Sequence, residues 1–200
     1  MSTINPNRTQ VFFKVTALLV LALLATAPWV RAQEAAREYF TDTVLVDQEG
    51  REQRFFSDLL AGKVVVIDTI FTRCTGVCPV LSRNMEKIQE HLGDRVGRDV
   101  HLISISVDPL YDTPQRLKEF ARRYHAQHGW YFLTGQPQDV NFILERLGQK
   151  VPSKENHKSL MLVGNVPAEY WKKALGLASP QELIEIVDSV LQDQGKSASP

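Results

Sequence analysis

Two cysteines stand four positions apart in Phe71-Thr72-Arg73-Cys74-Thr75-Gly76-Val77-Cys78-Pro79, and they are the only cysteines in the 200-residue chain. A structural disulfide closing so short a loop removes little entropy from the unfolded chain and stabilises little. The pair is better suited to redox cycling or to holding a soft metal such as copper(I) or zinc. Pro79 fits the first turn of a helix. A helix mouth offers free amides and the positive end of the helix dipole, which favour a thiolate. Arg73 adds positive charge beside Cys74. The expectation from sequence is therefore a lowered thiol pKa at Cys74 and Cys78.

Two sulfurs leave a metal short of ligands, and an imidazole is the usual addition. Five histidines are available. His91 falls at the polar end of one predicted helix, and His125 and His128 at the charged end of another; all three read as solvated. His101 opens a predicted strand and reads as an edge or partly buried residue. His157 differs: it ends the polar stretch Pro152-Ser153-Lys154-Glu155-Asn156-His157 just before an apolar strand, Ser159–Val163. Spacing alone leaves it open as a ligand or a surface histidine.

The elements that must position these residues alternate. Val44–Asp47 reads as a short strand into a turn. Val64–Ile67 is a continuous β-branched run that suits a central strand covered on both faces. Val80, Leu81, Met85, Ile88 and Leu92 recur at near-helical spacing after the cysteines. A second strand follows over 101–107, closed by Asp108-Pro109. Thr113-Pro114 caps a helix whose apolar face is Leu117, Phe120, Ala121 and Tyr124. Strand Trp130–Leu133, helix Val140–Leu147, strand Ser159–Val163 and helix Pro180–Leu191 complete the alternation. No strand is predicted between Val166 and Ala178. The pattern is that of an α/β fold, with a core large enough to leave the cysteines free for chemistry.

Residues 1–32 are different material. Arg8 and Lys14 precede an apolar run from Val15 to Ala27, and Val30-Arg31-Ala32 ends it. This is the pattern of a secretory signal cleaved after Ala32, or of a retained N-terminal anchor. Either predicts export. The organisation predicted is a signal or anchor over 1–32, one domain over 39–192 and a polar tail over 193–200. The whole chain has formal net charge zero, and loss of the three basic residues of the leader leaves the remainder at −3. That excludes a strongly basic nucleic-acid footprint, and export makes disulfide chemistry available.

The chain resembles the Sco/SenC family of exported thioredoxin-like copper proteins. The resemblance rests on Thr72-x-Cys74-x-x-x-Cys78-Pro79, then Ser106-Val107-Asp108-Pro109, Asp112-Thr113-Pro114, Leu117-Lys118-Glu119-Phe120, Thr134-Gly135 and His157-x-Ser159, in family order. It implies a thioredoxin-like fold with a central mixed sheet flanked by helices. It also implies one copper per chain, as Cu(I) or Cu(II), held by Cys74, Cys78 and His157. The implied role is delivery of copper to a cuproenzyme such as the copper centre of cytochrome c oxidase. That role carries a copper donor and a thiol reductant upstream, and a location in the bacterial periplasm or on the outer face of the inner membrane. Family members are often membrane-anchored through the N-terminus. Asn156, where the family often has aspartate, Lys158 after the histidine, and the Gly164-Asn165 end of the closing strand depart from the pattern. Two alternatives share the same thiols. One is a thiol–disulfide oxidoreductase working through Cys74 and Cys78. The other is a peroxidase, because Thr75-x-x-Cys78-Pro79 also resembles the TxxCP element of peroxiredoxins, with Cys78 attacking peroxide and Cys74 resolving it.

Overall fold

The computed structural model describes residues 33–150 and 159–193. The leader 1–32, the segment 151–158 with His157, and residues 194–200 lie outside the described residues. After a short helix α1 (33–40), strands β1 (Val44–Val46) and β2 (Glu52–Arg54) form a small antiparallel hairpin. A single π-helical turn, Phe55–Leu60, leads into β3 (Val64–Ile70). There follow α2 (Cys78–Leu92), β4 (Val100–Ser106), α3 (Pro114–Arg123), β5 (Trp130–Leu133), α4 (Pro137–Arg146), β6 (Leu160–Asn165), β7 (Tyr170–Leu175) and α5 (Pro180–Gln192).

The main sheet has the order β5-β4-β3-β6-β7. β3 is parallel to β4, and β4 to β5, whereas β6 runs antiparallel to both β3 and β7. All seven residues of β3 and all seven of β4 are buried, as expected of central strands covered on both faces. Strand alternation divides them. Val64, Val66 and Ile70 join Leu81, Met85, Leu117, Phe120, Leu183 and Val187, so α2, α3 and α5 cover one face. Val65, Ile67, Ile103 and Ile105 join Phe40, Leu45, Phe55, Val140 and Ile143, so α1, the hairpin and α4 cover the other. This three-layer mixed sheet is a thioredoxin-like fold.

Local chemistry matches the predicted helix starts. Thr113 caps α3 through its side chain, and Ser179 with Glu182 forms a reciprocal capping box on α5. Beside the outer strand β5, Gln48 acts as a surrogate peptide group. Its Nε2 donates to the Trp130 carbonyl at 2.9 Å and its Oε1 accepts from the Phe132 amide at 2.8 Å. Such pairing keeps another chain from adding to that edge.

β7 corrects the reading of Val166–Ala178 as connection. Tyr-Trp-Lys-Lys carries no apolar alternation. Pairing with β6 makes it a strand, and Lys172 is accommodated by donating to Ser189 Oγ of α5 at 2.8 Å. Between the hairpin and β3, the π-helical turn buries Phe55, Phe56, Leu59 and Leu60.

Candidate functional site

The cysteine loop leaves β3 at its C-terminal end and enters α2 directly. Cys78 is the first residue of α2 and is fully buried, while Cys74 is half-exposed in the loop. The Cys74 amide donates to the Phe71 carbonyl at 3.0 Å, closing the turn that brings Cys74 back toward the helix mouth. The two thiols are within hydrogen-bonding contact.

The electrostatics differ from the expected lowered pKa. Burial pushes the Cys78 thiol well above its ordinary range, and its hydrogen bond to Cys74 acts in the same direction. Arg73 does not offset this by facing the sulfurs. Its guanidinium donates to Asp108 Oδ2 at 2.9 Å and stacks 3.7 Å from the centroid of the Tyr111 ring, which Arg116 also covers at 3.8 Å. Arg73 is beside Cys74 in sequence, but its long side chain reaches a carboxylate on the neighbouring loop instead.

That neighbouring loop, between β4 and α3, is tied to the cysteine loop by a second carboxylate. Asp112 is fully buried and accepts hydrogen bonds from the Thr72 amide, the Thr72 hydroxyl and the Ser106 hydroxyl. Sequence reading singled out Asp112 only as part of Asp-Thr-Pro and assigned it no role.

Asp68 was missed altogether. It sits in the apolar strand β3, fully buried, and neither oxygen has a well-formed hydrogen bond among the described residues. Burial pushes its carboxyl up to about 7, with the Ser104 hydroxyl on β4 working in the opposite sense. The available signal was an acid interrupting a β-branched run.

The described histidines do not join the cysteines. His91 pairs with Asp188 at 3.0 Å and His125 with Glu86 at 2.6 Å, both on the surface. His101 is buried, not at an edge, and its Nδ1 bonds the Leu59 carbonyl at 2.8 Å. His128 is exposed and lies against Gly97. Among the described residues no group of three or more His, Cys, Asp or Glu could hold a metal. His157 lies outside them.

The antiparallel course of β6 bears on that histidine. Leu162 is in register with Ile67, so the chain enters β6 beside the C-terminal end of β3, where the cysteine loop begins. The Ser159 carbonyl accepts from the Gly176 amide at 2.8 Å, and Gly176 packs against Leu81 in the first turn of α2. Ser159, two residues after His157, is thereby placed next to the helix that carries Cys78. No helix among the described residues is long and apolar enough to cross a membrane.

Comparison with known proteins follows the same lines. The chain is 40% identical over 93 residues to the SCO1 protein homolog of Bacillus subtilis, a match that spans 46% of this chain and about half, 47%, of that relative. Among solved structures it is similar to a SCO1/SenC family lipoprotein from Bacillus anthracis, with 28% identity, a TM-score of 0.64 and coverage of 74% of this chain and 92% of that one. It is also similar to BsSco, described as having a disulfide switch and as a member of the Sco family of cytochrome c oxidase assembly proteins, with 30% identity, a TM-score of 0.61 and coverage of 74% and 90%. A family model for SCO1/SenC proteins matches residues 31–192. With the fold, the cysteine loop and a family match over most of its length in agreement, the chain belongs to the SCO1/SenC family.

Proposed function

We propose that this protein is an exported copper-binding metallochaperone that hands one copper ion to a cuproenzyme such as the copper centre of cytochrome c oxidase. Cys74 and Cys78 supply two soft thiolates suited to Cu(I), and His157 supplies the imidazole that makes Cu(II) tolerable. The observation that carries this reading is the entry of β6 beside the cysteine loop. Ser159 is bonded to Gly176, which packs against Leu81 in the first turn of α2, and two residues of chain span at most about 7 Å. Membership of the family, and the assembly role stated for its relative BsSco, support it. Export is supported by the leader and by the lipoprotein relative.

Delivery is ligand exchange onto thiols or imidazoles of the acceptor. Both cysteines must be reduced at once, since a Cys74–Cys78 disulfide removes both sulfur ligands, so a dithiol reductant is required upstream. Titration of the reduced chain with copper, followed by absorption spectroscopy, tests the reading. One equivalent should bind with a thiolate-to-copper charge-transfer band. Cys74→Ser and Cys78→Ser should abolish the band, and His157→Ala should weaken Cu(II) more than Cu(I). Unchanged Cu(II) binding in His157→Ala removes that histidine from the ligand set.

A second reading, thiol–disulfide exchange with an exported partner, is favoured by one specific contrast. Cys74 is accessible and touches a buried Cys78, the arrangement of an attacking thiol and a resolving one. Attack by the Cys74 thiolate on a partner disulfide forms a mixed disulfide. Cys78 then displaces the second partner thiol, so the partner gains two electrons and two protons. The peroxidase alternative is disfavoured, because it asks the buried Cys78, with its raised pKa, to be the accessible thiolate.

A further inference from the structure

The cysteine loop hangs between two fixed points. Cys78 is fixed by α2, whose apolar face is buried in the core. The other end is fixed where β3 stops. The last strand-like bond along that edge is from the Val107 amide to the Ile70 carbonyl. Beyond it the backbone must find partners off the sheet.

Thr72 finds one in Asp112. Its amide donates to the two carboxylate oxygens at 3.1 and 3.3 Å, and its hydroxyl donates to Oδ1 at 2.5 Å. Ser106, the last residue of β4, donates its hydroxyl to Oδ2 at 2.6 Å and accepts from the Asp108 amide at 3.0 Å. Asp112 is itself held: its amide bonds the Asp108 carbonyl at 2.9 Å, and the next residue caps α3. A fully buried carboxylate on a rigid loop thus clamps the residue two before Cys74. The two hydroxyl donors make the short bonds of the set, at 2.5 and 2.6 Å.

We propose that Asp112 is the positioning residue of the thiol pair: acting through Thr72, it holds Cys74 against Cys78. This rests on the reading that these two thiols are the working pair. A disulfide forms only within a narrow window of Cα separation and Cβ direction. Restricting Cys74 to that window raises the effective concentration of one thiol at the other. Release of the clamp lets Cys74 sample geometries in which the sulfurs do not meet, and the disulfide becomes easier to reduce.

The test is the thiol–disulfide equilibrium of the full chain against reduced and oxidised dithiothreitol. In that exchange the two protein thiols give two electrons and two protons to oxidised dithiothreitol as the Cys74–Cys78 bond forms. Asp112→Asn keeps the volume and loses the charge and one acceptor. Thr72→Val keeps the amide and loses the hydroxyl donor. Asp47→Asn is the matched control. Asp47 is an equally buried carboxylate that accepts from the Glu49 and Arg51 amides and the Arg51 and Gln53 side chains, all within the β1–β2 hairpin.

The expected result is a fall of about tenfold in the closure constant for Asp112→Asn, equivalent to ~30 mV. A severalfold fall is expected for Thr72→Val, with no further loss in the double variant, because both act through one contact. Asp47→Asn should lower the melting temperature and leave the constant within twofold. An Asp112→Asn constant within twofold of wild type, or an equal shift in Asp47→Asn, overturns the proposal. Should Asp112→Asn not fold, Thr72→Val decides, and a constant within twofold of wild type overturns it. Failure of the wild-type chain to bind copper would sink the delivery reading, while the disulfide equilibrium would still judge Asp112.

Discussion

The Asn84 side chain donates to the Gly176 carbonyl at 2.7 Å, and the same amide reaches the Ala178 carbonyl at 3.1 Å. One buried amide on α2 thereby fastens the turn after β7 to the helix that begins with Cys78. Gly176 in turn holds Ser159 through its amide. The cysteine helix and the entry to β6 are therefore joined by a polar clamp as well as by core packing.

Asn84→Ala should leave the buried Gly176 carbonyl and the partly buried Ala178 carbonyl short of a donor and cost about 1–3 kcal/mol. Gly176→Ala should cost a similar amount, since a Cβ there falls inside contact distance of the buried Leu81 side chain. Urea denaturation checks both. A loss below half a kcal/mol in each would show that the turn is held by packing alone.

Cys74 should react with iodoacetamide at pH 8 at least tenfold faster than Cys78. The half-exposed thiol is accessible, whereas Cys78 is buried and its thiol is held protonated by burial and by Cys74. Mass spectrometry of partially alkylated reduced protein separates the two. Equal labelling in native protein would contradict the assigned burial. Equal labelling only in denaturant is the expected pattern.

Asp68 should make stability depend on pH. Its folded carboxyl titrates at about 7 against 3.8 for the ordinary group. Between those values the folded chain holds a proton that the unfolded chain has released, so stability falls as pH rises through the window and levels off above it. Three pH units correspond to roughly 4 kcal/mol as a ceiling. Burial holds the His101 ring below its usual range and so works the other way, gaining stability as pH rises. The difference between Asp68→Asn and wild type isolates Asp68. The variant should gain stability relative to wild type between pH 5 and pH 8, measured by urea midpoints. A constant difference across that range would show that Asp68 does not titrate there.

Gly129→Ala should be severely destabilising, by more than about 3 kcal/mol. Gly129 sits at a φ of +93°, and a Cβ there would collide with the backbone amide of Gly97 rather than with a movable side chain. Loss of soluble expression or a melting temperature lower by 10 °C or more is expected. A variant as stable as wild type would show that the two loops separate freely.

Much of this molecule can be read from the chain. The β-branched run at Val64–Ile67 is too apolar for anything but a strand covered on both faces, and it is central. Thr113-Pro114 and Ser179-Pro180 announce helix starts through local capping, which needs no tertiary partner. The cysteine spacing places two thiols at a helix mouth because both residues belong to one short loop. Local sequence determines such features because the interactions involved lie within a few residues of one another.

The rest was decided by contacts between distant segments. Whether Tyr170–Leu175 is a strand depended on an edge of β6 being open to it. Whether Arg73 faces the thiols depended on Asp108, 35 residues away, and the clamp on Thr72 depended on Asp112, 40 residues away. The raised pKa of Cys78 came from burial beneath helices and strands that no helix-mouth argument contains. Ser159 came beside α2 only because β6 runs antiparallel to β3. Residue type and spacing determined which groups could do chemistry. Solvent exclusion and long-range pairing, which arise only when the layers pack, decided what each group faces and how readily it gives up a proton.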